Sequence, residues 1–113
     1  MYKITEKRYS QQLPNQDTSV SIRRSKIETV EGQETQSEHH RLSVDCLTFA
    51  NNQNHLHEQL IKLSDGSVLD LTIETDLKAD LDALKAELIA KDWQIGTQLI
   101  TDYETWKNNQ STL

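Results

Sequence analysis

The sequence predicts an α+β fold: an antiparallel meander of four or five strands followed by a C-terminal amphipathic helix or helix pair. Three observations carry this. Before Thr75 the apolar residues are largely β-branched and alternate with polar ones. After it, Leu and Ala recur at helical spacing. Between two apolar alternations stands Ser64-Asp65-Gly66, a strong hairpin signal.

Taken in order, Tyr2, Ile4 and Tyr9 suggest a short first strand, and residues 11–18, with the only proline (Pro14), read as a loop. Residues 19–30 form a second strand. Val20 and Ile22 share a face, but Ile27 breaks their parity, so a bulge is expected near Arg23 and Arg24. Glu31-Gly32-Gln33 supplies a turn, and the polar stretch to Glu38 lengthens that hairpin. Leu42, Val44 and Cys46 alternate with Arg41, Ser43 and Asp45 as a strand with one wet face, and residues 47–50 turn apolar on both sides. Residues 51–54 are a turn. The runs 60–63 and 67–73 complete the meander, with Leu69, Leu71 and Ile73 facing the core.

Thr75 is placed to cap a helix over residues 76–90, with Asp76 and Asp80 early and Lys85 and Lys91 late, as the helix dipole favours. Past Ala90 the pattern fits three continuations. One is a single helix to Trp106; another is a break at Gly96 with Thr97 recapping a second helix; the third is a short strand through Trp93, Ile95, Thr97 and Leu99. Taking about 100° per residue, Leu77, Leu81, Leu84, Leu88, Ile95, Leu99 and Trp106 fall within roughly a 60° sector. As one helix this segment would run about 45 Å, more than a small sheet can cover.

With 113 residues, the chain reads as one domain: a β-rich part to residue 75, a helical part over 76–108 and a polar tail over 109–113. Only 35% of residues are hydrophobic, so the core is expected to be thin or completed by a partner. The net charge of -6 lies wholly in the second half: residues 1–53 hold seven acids and seven bases, residues 54–113 eleven and five. That argues against general duplex binding, which needs a basic face. One cysteine, Cys46, permits no intrachain disulfide, and a reducing, cytoplasmic setting is expected. No apolar run approaches the ~18 residues that span a bilayer, so no membrane partner is expected.

Candidate sites are few. His55 and His57, if on a strand, share one face and would form a metal pair only with help from Cys46, His39, His40 or Glu58. Arg23, Arg24, Lys26, Lys3, Lys7 and Arg8, with Tyr2 and Tyr9, would form a basic face. Asp65, Asp70, Glu74, Asp76, Asp80, Asp82 and Glu87 would form an acidic one, able to present phosphate-like charge to a basic groove. Cys46 reads as a small buried hydrophobe. Phosphate-cradling loops, nucleophile elbows, paired-cysteine zinc spacings and calcium loops are all missing from the sequence. The small size and Gln- and Asn-rich character resemble accessory proteins of phages and mobile elements.

The sequence therefore points to a non-catalytic interaction or assembly module without a cofactor. It would bind a protein partner or itself through Leu88, Ile95, Leu99, Tyr103 and Trp106. The alternatives are an acidic-surface inhibitor or regulator of a nucleic-acid-binding protein, and a metal protein using His55 and His57.

Overall fold

The computed structural model describes residues 1–14, 16–93 and 98–111. Three long strands come first: β1 (Tyr2–Leu13), β2 (Gln16–Val30) and β3 (Gln33–Asp45), forming one antiparallel sheet of order β1-β2-β3. Helices α1 (Cys46–Asn51), α2 (His55–Leu60), α3 (Thr75–Ala90) and α4 (Gln98–Ser111) follow. The α+β class and the C-terminal helix pair agree with the sequence. The meander has three strands among the described residues, not four or five.

The chain after β3 is helical instead, and the last two expected strands are reduced to one bridge. Asp45 accepts a hydrogen bond from the Thr48 amide at 2.8 Å and so caps α1, turning the apolar run after it into a helix with Cys46, Phe49 and Ala50 buried. In α2 the buried pair Leu56 and Leu60 is spaced four apart, one helical face. The expected hairpin over residues 60–73 shrinks to a single bridge between Lys62 and Val68. Its amides are diverted locally: the Asp65 carboxylate takes the Ser67 N–H and the Asp70 carboxylate takes the Thr72 N–H, both at 2.9 Å. Residues 11–18, expected as a loop, are mostly strand, with the ladder running until Leu13 pairs with Gln16.

The irregularity expected near Arg23 and Arg24 occurs in the neighbouring strands. β1 gains a residue between Ile4 and Glu6, and β3 gains one opposite Arg24–Lys26, where Glu38 takes φ 49°. β2 itself keeps its parity. Val20 and Ile22 enter the main core, whereas Ile27 is buried outside it.

α3 buries Leu77, Leu81, Leu84 and Leu88, the stripe that the sequence displays. Thr75 is its first residue, not its cap. The preceding Glu74 makes no side-chain cap bond to the helix, and its carboxylate instead accepts the Tyr2 amide at 3.0 Å. Asp80 likewise accepts the Ile4 amide at 3.0 Å. Two carboxylates of the α3 region thus stand in for the strand that β1 lacks on its outer edge. α3 ends at Ala90, and Asp92 at φ 62° turns the chain before Trp93, so a single helix through Trp106 does not form. Residues 94–97, with Ile95, Gly96 and the expected cap Thr97, lie outside the described residues.

The helices cover one face of the sheet. Val20, Ile22 and Val44 meet Phe49, Leu56, Leu60, the α3 leucines, Ile100 and Tyr103 there. Trp93 closes one end, fully buried, edge-on to Tyr9 and Phe49, with its indole N–H donating to the Asp17 carbonyl at 3.0 Å. The other end is different. β1 begins opposite Lys26, so β2 and β3 run on as a two-stranded ribbon in which every residue from 28 to 39 is exposed. The molecule measures 54 × 26 × 24 Å, and its radius of gyration of 16.0 Å exceeds the roughly 13 Å of a compact chain this long.

Candidate interaction surface

The organising residue of the ribbon end is Arg24. It shares the inward parity of Val20 and Ile22, and this buries it to 3% exposure. Its Nη1 donates to the carbonyls of Leu60 (2.7 Å) and Lys62 (2.8 Å), capping the C-terminus of α2, where carbonyls are otherwise unpaired. The guanidinium also lies 5.3 Å from the centre of the Tyr2 ring. Burial lowers its pKa, a loss that Tyr2 and Glu38 partly offset. One side chain therefore ties the sheet, the start of β1 and the α2–α3 connection together at the root of the ribbon.

Among the described residues the exposed large hydrophobics are Met1 (59%), Val68 (59%) and Ile73 (74%), which stand around that root, and Val30 (56%), which does not. Lys62, held by Arg24, bridges to Val68, and Glu74, next to Ile73, holds the Tyr2 amide beside Met1. Val30 pairs with Gln33 at the tip of the ribbon, six residues beyond Arg24 and so about 20 Å away. Leu63, Leu69 and Leu71 are half-buried in the same connection. Ile73 was expected in the core and is instead the most exposed of the four. The two aspartate-centred turns hold this connection in a defined shape. In each, the carboxylate also accepts the hydroxyl of Ser67 or Thr72, and these bonds keep both carboxyls below the usual aspartate range.

The residues singled out from the sequence are placed as follows. Leu88 is fully buried and Tyr103 nearly so, both in the core; Leu99 and Trp106 are half-buried against it; Ile95 lies outside the described residues. Trp106 stacks on Tyr103 with ring centres 5.7 Å apart. His55 and His57 sit on α2, where residues two apart point about 200° from one another, so they do not form a pair. His57 Nε2 is 2.8 Å from Asp82 Oδ1, joining α2 to α3, and its Nδ1 is buried without a partner. Among the described residues no group of three metal-ligating side chains converges.

The expected basic face is divided. Tyr2 and Tyr9 pack on the core, Arg24 is buried, Lys26 is held by Glu28 and Glu38, and Lys7 by Glu87. Arg23 and Arg41 stay on the open sheet face, both near Glu6, whose carboxyl Arg41 holds below its usual range. The acidic set is divided too: Glu74 and Asp80 cap the β1 edge, Asp82 pairs with Lys78 and Glu87 with Lys7.

Two features invite a catalytic reading and do not sustain it. Cys46 is fully buried and its thiol is pushed up to about 11, mainly by burial and then by Asp45, so it is protonated at neutral pH. Ser25 lies 2.6 Å from His39 Nδ1, but its hydroxyl is fully buried and also bonded to Thr5 at 2.8 Å, out of reach of a substrate.

Comparison with known proteins identified no match: no family model, no curated protein and no solved structure is similar to this chain.

Proposed function

We propose that the protein is a non-catalytic interaction module that engages a second protein through its ribbon end. The observation that carries this is the gathering of Met1, Val68 and Ile73 around the Arg24 clamp, at the root of a ribbon that adds nothing to the core. Single exposed hydrophobic residues are ordinary, but three held together at one place in a chain this polar support a contact surface. A two-stranded ribbon alone is marginal in water, and a partner surface would stabilise it.

Photo-crosslinking residues placed at Val68 and Ile73, in the cell that makes the protein, test the reading. Adducts should form there and not from a control at Ser10 on β1. No adduct, or an equal yield at Ser10, contradicts it. A second surface is supported by the half-buried Leu99 and Trp106 on α4, the part of the C-terminal stripe that the core leaves accessible. Adducts confined to those two positions would favour it.

A further inference from the structure

From the chemistry of the ribbon end, we infer that the element it receives is a basic amphipathic polypeptide segment: apolar side chains on one face, flanked by lysine or arginine. This rests on the interaction reading above and specifies the partner. The centre of the surface is apolar, and its rim is acidic. Glu28 stands at the foot of the ribbon on the Arg24 face, Asp65 and Asp70 hold the turns on either side of Val68, and Asp76 lies in the first turn of α3; all are exposed. The bases at this end are fewer. Lys26 and Glu28 engage each other at 3.2 Å, which leaves Lys62 and Lys3 against Asp65, Asp70 and Asp76.

A partner offering only apolar side chains would strip water from this rim without giving the carboxylates a counter-charge. Lysine or arginine at the flanks supplies one, and steers the approach. A second copy docking by the same end would bring acidic rim against acidic rim, and nucleic acid would bring phosphates to it; both meet like charge. Asp65 and Asp70 are fixed by their own turns before any partner arrives, so their charge is already in place.

The test uses the full chain and three synthetic peptides: a helical Lys/Leu amphipathic peptide, the same pattern with Gln for Lys, and oligolysine. At about 50 mM salt the Lys/Leu peptide should bind at least about tenfold more tightly than either other peptide, and the gap should close towards about 0.5 M. Ile73→Asp with Val68→Asp, and separately Glu28→Lys with Asp76→Lys, should each weaken it at least about tenfold. All four side chains are exposed, and circular dichroism verifies that both variants fold. Oligolysine binding as tightly as Lys/Leu would overturn the inference, as would no binding by about 1 mM. If the Gln/Leu peptide binds as tightly and loses binding with the aspartate variant, the basic chemistry is wrong and the surface stands. If no peptide responds to that variant, both are wrong.

Discussion

Replacing Arg24 by methionine keeps an unbranched stem in the buried slot and removes the guanidinium. The Leu60 carbonyl then loses a charge-assisted hydrogen bond in a buried setting, a loss of about 1.5–3 kcal/mol. The Lys62 carbonyl is only partly buried and recovers part of its 2.8 Å bond from water, so its share is about 1 kcal/mol. The ring contact with Tyr2 adds about 0.5–1 kcal/mol. Against these stands relief from burying a cation that has no carboxylate in direct contact, and the net destabilisation expected is about 3 kcal/mol. For a domain stabilised by about 5–15 kcal/mol that is a large fraction, equivalent to about 12 °C in Tm. Urea unfolding measures it, and amide exchange localises it: the Leu69 amide, bonded to the Ile61 carbonyl at 2.8 Å, should exchange much faster. Lysine at the same position reaches one carbonyl and should fall between. A methionine variant within about 0.5 kcal/mol of the parent, with Leu69 still protected, would refute the assignment of Arg24 as the clamp.

Three further outcomes are expected. Asp80→Ala should cost about 1–2 kcal/mol and selectively speed exchange of the Ile4 amide, because the outer edge of β1 loses its cap. Glu31 holds φ 52° before Gly32 at φ 80°, a two-residue turn that favours asparagine, so Glu31→Asn should stabilise the protein by about 0.5 kcal/mol in urea melts. The Lys91 ammonium holds the Asp17 carboxyl below the usual aspartate range, through a 2.9 Å bond. Because the folded value is the lower one, this contribution is complete above about pH 4–5 and fades as pH falls through the folded value. Asp17→Asn should therefore remove less than about 1 kcal/mol at pH 7 and flatten the acid limb of a stability–pH profile.

Legibility in the sequence followed the length of each pattern. Four leucines at helical spacing announced α3, and the Glu31-Gly32 turn with polar flanks announced the long hairpin. α1 and α2 were hidden because six residues are too few to separate a buried helix from a strand, and His55-Leu56-His57 happens to alternate. The competing signals were present in Asp45 as a cap and in the Leu56–Leu60 spacing. Of the ribbon end, only the hairpin was readable. Leu69, Leu71 and Ile73 alternate like a core strand, yet Asp65-Gly66-Ser67 and Asp70-Leu71-Thr72 each bind their own backbone and turn the chain outward. Arg24 was visible in its parity with Val20 and Ile22, but the carbonyls that admit a guanidinium to the core come from residues 36 and 38 positions away.

Backbone chemical-shift mapping during titration with the Lys/Leu peptide tests the central claim most directly, since it reports where contact is made. The amides of Val68, Leu69 and Ile73 should shift in a saturable way while those of Leu99 and Trp106 stay still. Shifts confined to α4, with the ribbon end silent, would contradict the account.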